Sequence, residues 1–205
     1  MDLSLQGKTA LVCGSSQGIG KATAIELAQL GANVILLARN ENTLKEVLSE
    51  LDSSQGQNHE YLVADFSKPA TLEATLNEYL NGAKTIHILV NNTGGPAGGP
   101  AHTATIEAFR SAFEMHLICN QILVQAVLEG MKKAGFGRII NVISTSVKQP
   151  LDNLGVSNTI RGAVANWAKT LANELGQFGI TVNNVLPGAT NTARLQSILE
   201  NKASK

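Results

Sequence analysis

Short apolar runs alternate with longer amphipathic stretches along most of this sequence. Six runs rich in apolar and β-branched residues predict strands, over Thr9–Val12, Asn33–Ala38, Tyr61–Ala64, Ile86–Val90, Arg138–Ile143 and Ile180–Leu186. Between them, apolar residues recur at steps of three and four and predict helices, over Ile19–Leu30, Asn42–Leu51, Lys68–Leu80, Thr105–Lys133 and Leu154–Gln177. Because strands alternate with helices, the pattern predicts a parallel sheet with helices on both faces.

Composition adds little to this picture and excludes some partners. The 205 residues, 43% hydrophobic, predict one domain spanning 1–205. Sixteen basic and sixteen acidic residues leave no formal net charge, so neither a nucleic acid nor a membrane partner is indicated. We find no leader and no apolar run approaching the roughly 18 residues of a membrane span, and we expect a cytoplasmic protein. Cys13 and Cys119 lack metal-type spacing, and no metal site is predicted.

A glycine-rich turn joins the first predicted strand to the first predicted helix. The turn contains Gly14, Ser16, Gln17, Gly18, Ile19 and Gly20. Pyrophosphate binds to backbone N–H groups at a helix N-terminus, and residues without a Cβ let the backbone approach it. The strand, turn and helix context therefore predicts a dinucleotide site, whereas glycines alone would be weak evidence.

The spacing of these motifs resembles the short-chain dehydrogenase/reductase family. Gly14, Gly18 and Gly20 form Gly-x3-Gly-x-Gly, and a second motif, Asn91–Gly94, closes the fourth strand. Thr93 stands where the family usually has alanine. The resemblance extends through Asp65, Gly137–Asn141 and the Val182–Gly188 stretch, and it is closest to 3-oxoacyl-(acyl carrier protein) reductases. It implies a Rossmann-type, doubly wound α/β fold with strand order 3-2-1-4-5-6.

The end of the second strand indicates which dinucleotide is preferred. NAD-specific sites place an acid there, but this chain has Leu37-Ala38-Arg39-Asn40. Arg39 offers donors suited to a 2′-phosphate, although a solvated loop arginine is the alternative. We therefore expect NADP(H) in preference to NAD(H), with a modest margin because Gln17 stands where many NADP-using relatives have a basic residue.

The resemblance also assigns the remainder of the dinucleotide site. It implies that Asp65 and Phe66 lie near the adenine, that Asn91, Thr93 and Gly94 lie near the adjacent ribose, and that Pro187, Gly188 and Thr192 lie near the nicotinamide. Two of these residues have structural alternatives. Asp65 could cap the following helix, and Asn91 could brace a turn.

The catalytic positions depart from the family pattern. Carbonyl-reducing relatives use a serine, a Tyr-x3-Lys pair and an asparagine, and only the serine is kept, as Ser144. Ser157 and Arg161 replace the tyrosine and lysine, and His116 occupies the asparagine position. A serine hydroxyl is a far weaker acid than tyrosine, and arginine does not release its proton. Arg161 keeps a positive charge that could hold the nicotinamide ribose.

Two accounts of function follow from these substitutions. In the first, the chain is an NADP(H)-dependent reductase of a 3-oxoacyl thioester or small ketone, and Ser144 and Ser157 bind the carbonyl oxygen while water or His116 supplies the proton. In the second, it is a dinucleotide-binding or assembly module without hydride transfer. His116 is either a substitute acid or a buried structural histidine. The apparently intact nicotinamide end favours the enzyme.

Relatives continue with a substrate lid and a seventh strand. Residue 205 falls within that lid, so we expect this sequence to lack the last strand and substrate identity to stay open. Relatives pair their long fourth and fifth helices across a twofold axis. Apolar residues in Ile118–Leu128 and Val164–Leu175 would permit a homo-oligomer, a dimer or tetramer, and would equally serve packing against the sheet.

Overall fold

Six parallel strands form the central sheet of the computed structural model, which describes residues 2–82, 84–193, 195, 196 and 200. The strands are β1 (Thr9–Cys13), β2 (Asn33–Ala38), β3 (Glu60–Val63), β4 (Ile88–Asn91), β5 (Gly137–Val142) and β6 (Ile180–Val185). Their order, β3-β2-β1-β4-β5-β6, is that of a doubly wound Rossmann-type sheet. The predicted fold class and strand order are confirmed, β2 has the predicted bounds, and the ends of the other strands differ from the prediction by at most two residues.

Helices connect the successive strands. They are α1 (Gly18–Gln29), α2 (Glu41–Glu50), α3 (Pro69–Leu80), α4 (Ile106–Phe113), α5 (Cys119–Ala134) and α6 (Gly155–Leu175). Local sequence explains several of their ends. Asn40 and Thr105 accept backbone N–H groups as N-caps of α2 and α4, and Gly135 ends α5 in the left-handed region.

The predicted helix Thr105–Lys133 is interrupted. A π-helical turn, Glu114–Ile118, separates α4 from α5, and it contains His116. Apolar residues continue at steps of three and four on both sides of this turn, so the sequence pattern predicted one continuous helix. Such turns are often found at functional sites.

Apolar side chains on both faces of the sheet form the core. On one face, Leu11, Ile35 and Leu89 belong to a cluster with residues of α3, α5 and α6. On the other face, Val12 and Leu36 belong to a cluster with residues of α1 and α2. Buried neighbours on both sides explain why these strands are continuous apolar runs.

One helical stretch of the described chain, Ile106–Ala134, is long and apolar enough by length and composition to cross a membrane. The expectation that no segment reaches this threshold is therefore wrong. Buried residues of α5, including Leu123, Val127 and Met131, pack in the core against the sheet. Core packing accounts for the apolar composition of this helix.

The sequence of the C-terminal segment, residues 191–205, predicts a helix with a polar end. Ala193, Leu195, Gln196 and Glu200 are helical, and the Gln196 N–H donates to Thr192 O at 3.1 Å. The remaining residues of the expected helix, 194, 197–199 and 201–205, lie outside the described part of the chain.

Candidate functional site

The predicted site residues lie at or beyond the carboxyl edge of the sheet. The glycine turn follows β1, Arg39 follows β2, and Asp65 and Phe66 follow β3. Asn91 ends β4, Ser144 follows β5, and Pro187 follows β6. Ligands of open α/β sheets bind at this edge, where the strand order reverses between β1 and β4.

The glycine turn has a backbone conformation that favours glycine at two positions. Gly14 and Gly18 have φ of 59° and 57°, in the left-handed region. A Cβ on Gly20 would lie 2.2 Å from the Gly14 carbonyl oxygen, so the start of α1 sits directly against the turn. The first N–H groups of α1 have no intrahelical acceptor. The turn is therefore suited to hold a pyrophosphate.

Two polar side chains that the sequence analysis did not single out hold this turn. Asn92 Nδ2 lies 3.3 Å from the carbonyl oxygens of both Cys13 and Gly14, joining β4 to the turn. Ser15 is buried, and its Oγ accepts the Leu37 N–H at 2.9 Å, joining β2 to the turn. Asn92 stands inside the recognised Asn91–Gly94 motif, which is the signal that could have identified it.

Arg39 and Asp65 lie side by side at the ends of β2 and β3. The Ala64 N–H donates to the Ala38 carbonyl at 3.1 Å, which places the two following segments together. Partial burial acts to raise the pKa of Asp65. The backbone and side chain of Ser67, and the charges of Arg39 and Lys68, outweigh burial and lower the pKa below its ordinary value. Two exposed cations thus flank this carboxylate.

Phe66 follows Asp65 but turns its side chain inward. It is 5% exposed, belongs to the core beside α3, and its carbonyl accepts the Cys119 thiol at 3.3 Å. Phe66 could contact an adenine only through its backbone. The side chain of Asp65 accepts the Ser67 N–H at 2.9 Å, which closes the turn before α3.

A small polar cavity lies between the end of β4, the π turn and α6, and we name it the β4–α6 cavity. Its lining includes Asn91, Thr93, His116, Asn120, Arg161 and Val164. His116 is 2% exposed, and the Arg161 Nη1 donates to the Val142 carbonyl oxygen at 2.7 Å. The structure therefore brings the candidate catalytic residues His116 and Arg161 together with Asn91.

Ser144 and Ser157 are placed near this cavity but are not among its lining residues. Ser144 Oγ accepts the Ser146 N–H at 3.1 Å and caps a short 3-10 turn. Ser157 lies in the first turn of α6 and is buried. Because α6 packs against both the 3-10 turn and the π turn, the elements that carry the four candidate catalytic residues are neighbours.

The segment after β6 lies over the glycine turn. A Cβ on Gly18 would lie 3.3 Å from Thr192 Cγ2, and the Thr145 N–H donates to the Pro187 carbonyl at 3.3 Å. Pro187, Gly188 and Thr192 therefore occupy the side of the site next to β5 and α1. Gln17, between Gly14 and Gly18, is exposed.

These features define a Rossmann-type protein with a dinucleotide-type glycine turn. The family model described as short chain dehydrogenase matches residues 8–203, and the chain belongs to this family of oxidoreductases.

Curated relatives agree with this assignment. The chain is 35% identical over 192 residues to 3-oxoacyl-(acyl-carrier-protein) reductase FabG of Vibrio cholerae, covering 93% of this chain and 76% of that protein. It is 31% identical over 199 residues to 7alpha-hydroxysteroid dehydrogenase of Escherichia coli, covering 97% and 77%. L-sorbose reductase from Gluconobacter frateurii, solved with NADPH and L-sorbose, superposes with a TM-score of 0.92 at 29% identity, covering 100% of this chain and 78% of that one.

Proposed function

We propose that the chain binds NADP(H) at the glycine turn, in preference to NAD(H). The observation that carries this proposal is the position of Arg39 at the end of β2, beside the turn and without an acid in the place that NAD-specific sites use. Arg39 can donate two parallel hydrogen bonds to a 2′-phosphate. The NADPH in the L-sorbose reductase structure supports the same choice.

The fit of a dinucleotide rests on the turn itself. Gly20 leaves no room for a Cβ against Gly14, and the turn presents N–H groups at the N-terminus of α1. We place the adenine near Asp65 and the backbone of Phe66, the adjacent ribose near Asn91, Thr93 and Gly94, and the nicotinamide near Pro187, Gly188 and Thr192.

We further propose carbonyl reduction, with a 3-oxoacyl thioester or a small ketone as substrate. Pro187, Gly188 and Thr192 would hold a reduced nicotinamide, which would supply a hydride to the carbonyl carbon, and a proton must also reach the carbonyl oxygen. Ser144 and Ser157 bind that oxygen, and Arg161 holds positive charge beneath the nicotinamide ribose. The proton comes from water or from His116, because histidine is the side chain that most often serves as a general acid.

A second candidate is a dinucleotide-binding module with weak or no turnover. It is favoured by the hydrogen bond between Arg161 and the Val142 carbonyl, because a guanidinium that holds the end of β5 is less available to a ribose. The missing tyrosine favours it too. Both candidates share the NADP(H) site and differ only in hydride transfer.

Turnover separates the two candidates. Purified protein with NADPH and a panel of 3-oxoacyl thioesters and ketones should oxidise NADPH with at least one substrate if it is a reductase. NADPH binding without turnover on any of them would favour the binding module.

Size-exclusion chromatography with light scattering tests the accompanying proposal of a homo-oligomer, for which exposed Ile106, Phe113 and Ile118 offer apolar surface. We propose a cytoplasmic location.

A further inference from the structure

Three asparagine side chains form a chain of hydrogen bonds across β4, β5 and β6. Strand register pairs Asn91 with Asn141 and Asn141 with Asn184. Asn91 Nδ2 donates to Asn141 Oδ1 at 2.8 Å, and Asn141 Nδ2 donates to Asn184 Oδ1 at 3.2 Å. Asn91 and Asn141 are buried, whereas Asn184 is half-buried. We call this arrangement the asparagine ladder.

The direction of the ladder is set at β6. Asn141 Nδ2 also lies 3.5 Å from the backbone carbonyl oxygen of Asn183, which can only accept. The NH₂ group of Asn141 therefore faces β6, where Asn184 Oδ1 is the closer acceptor and makes the shorter hydrogen bond, and the oxygen of Asn141 faces β4. Asn91 must then use its own NH₂ group toward Asn141.

This direction leaves the oxygen of Asn91 for another partner. Asn91 is 2% exposed, and its Oδ1 is buried without a hydrogen-bond partner from the described residues. Asn91 also lines the β4–α6 cavity, together with Arg161 and His116. A buried acceptor without a donor is costly, so this oxygen is suited to a group that brings an O–H or N–H.

We propose that Asn184 is a positioning residue that acts through Asn141, fixing the Asn91 amide so that Asn91 offers an acceptor, and not a donor, to a hydroxyl bound in the β4–α6 cavity. The hydroxyl belongs to a ribose of the bound dinucleotide or to water. Assigning the hydroxyl to a ribose rests on the proposed NADP(H) function, whereas the orientation of the Asn91 amide does not depend on that function.

Three variants isolate the role of Asn184. Asn184→Val removes the acceptor, and valine suits a half-buried strand position, so the fold is retained. Asn184→Asp keeps an acceptor facing Asn141. Asn183→Val is the matched control, because Asn183 is exposed and its Nδ2 donates within β6 to Thr181 Oγ1 at 3.4 Å.

Hydrogen exchange of the side-chain NH₂ groups, followed by NMR on the full chain, reports the ladder directly. Exchange of the Asn91 and Asn141 NH₂ groups should be at least about tenfold faster in Asn184→Val and unchanged in Asn184→Asp and Asn183→Val. Unchanged exchange in Asn184→Val, or equal acceleration in Asn184→Asp, would overturn the proposal.

NADPH affinity, measured by fluorescence on the same variants, identifies the hydroxyl. If a ribose provides it, the Kd for NADPH should rise about twofold to tenfold in Asn184→Val and return to the wild-type value in Asn184→Asp. An unchanged Kd with accelerated exchange supports the ladder and assigns the hydroxyl to water. Wild-type protein that binds no NADPH would contradict the proposed function alone, because the exchange measurement still reads the ladder.

Discussion

Arg161 Nη1 donates a 2.7 Å hydrogen bond to the carbonyl oxygen of Val142, the last residue of β5. The residue that the family resemblance places at the lysine position is thus attached to the sheet, at the cavity that His116 also lines. Its charge is permanent, and part of its hydrogen-bonding capacity is already used. This contact therefore holds a permanent positive charge at the end of β5, where Arg161 lines the β4–α6 cavity.

Placing tyrosine and lysine at positions 157 and 161, as in the carbonyl-reducing relatives, should therefore increase the rate of hydride transfer. We expect the double variant Ser157→Tyr, Arg161→Lys to raise kcat for NADPH oxidation with a ketone at least about tenfold, because tyrosine beside a lysine is a competent proton donor. The two single variants are the controls and should each gain less. Equal rates in the double variant and the wild type, with NADPH still bound, would count against a competent scaffold.

His116 provides a test of the proton source. Replacement of His116 with asparagine, the residue usual in the family, should lower kcat about tenfold or more if the imidazole donates the proton, with little change in the Kd for NADPH. The same kcat in both proteins would leave water as the donor and His116 as a structural residue. Steady-state kinetics with one ketone substrate, paired with NADPH titrations, measures both quantities.

The close approach at the glycine turn should make Gly20 intolerant of a methyl group. Gly20→Ala places a Cβ against the Gly14 carbonyl and should lower the free energy of unfolding by about 2 kcal/mol or more. Gly162 in α6 is the matched control, since a Cβ there meets nothing within 4 Å. Gly162→Ala should stabilise the protein by about 0.5–1 kcal/mol. Similar denaturation midpoints for both variants would contradict the described packing.

Acid should weaken the turn that joins β3 to α3. Because the pKa of Asp65 is lowered in the folded state, its charge stabilises the fold above the ordinary pKa near 3.8, and this contribution is lost as the pH falls through the lower folded value. Asp65→Asn should therefore have a lower free energy of unfolding than wild type at pH 7, and the difference between the two proteins should narrow below about pH 4. A gap in the free energy of unfolding that does not change with pH would exclude this role.

The fold was predictable from the sequence because strands and helices differ in apolar period and glycine marks the turns. Thr9–Gly20 is an example, because its apolar run predicts β1 and its three glycines predict the turn that follows. Similar apolar runs predict the other five strands. The π turn at His116 was not predicted, because apolar steps of three and four residues continue on both sides of it and do not locate the inserted residue. The hydrogen bonds of Asn141 and Asn184 were not predicted either, because each depends on a strand neighbour that is distant in sequence.

Calorimetry with NADPH and NADH tests the central claim, that the glycine turn and Arg39 bind a phosphorylated dinucleotide. We expect NADPH to bind about threefold to tenfold more tightly than NADH, and Arg39→Asp to remove or reverse that preference while NADH affinity is kept or improved. Folded wild-type protein that takes up no NADPH, or that binds NADH as tightly or more tightly, would contradict the account.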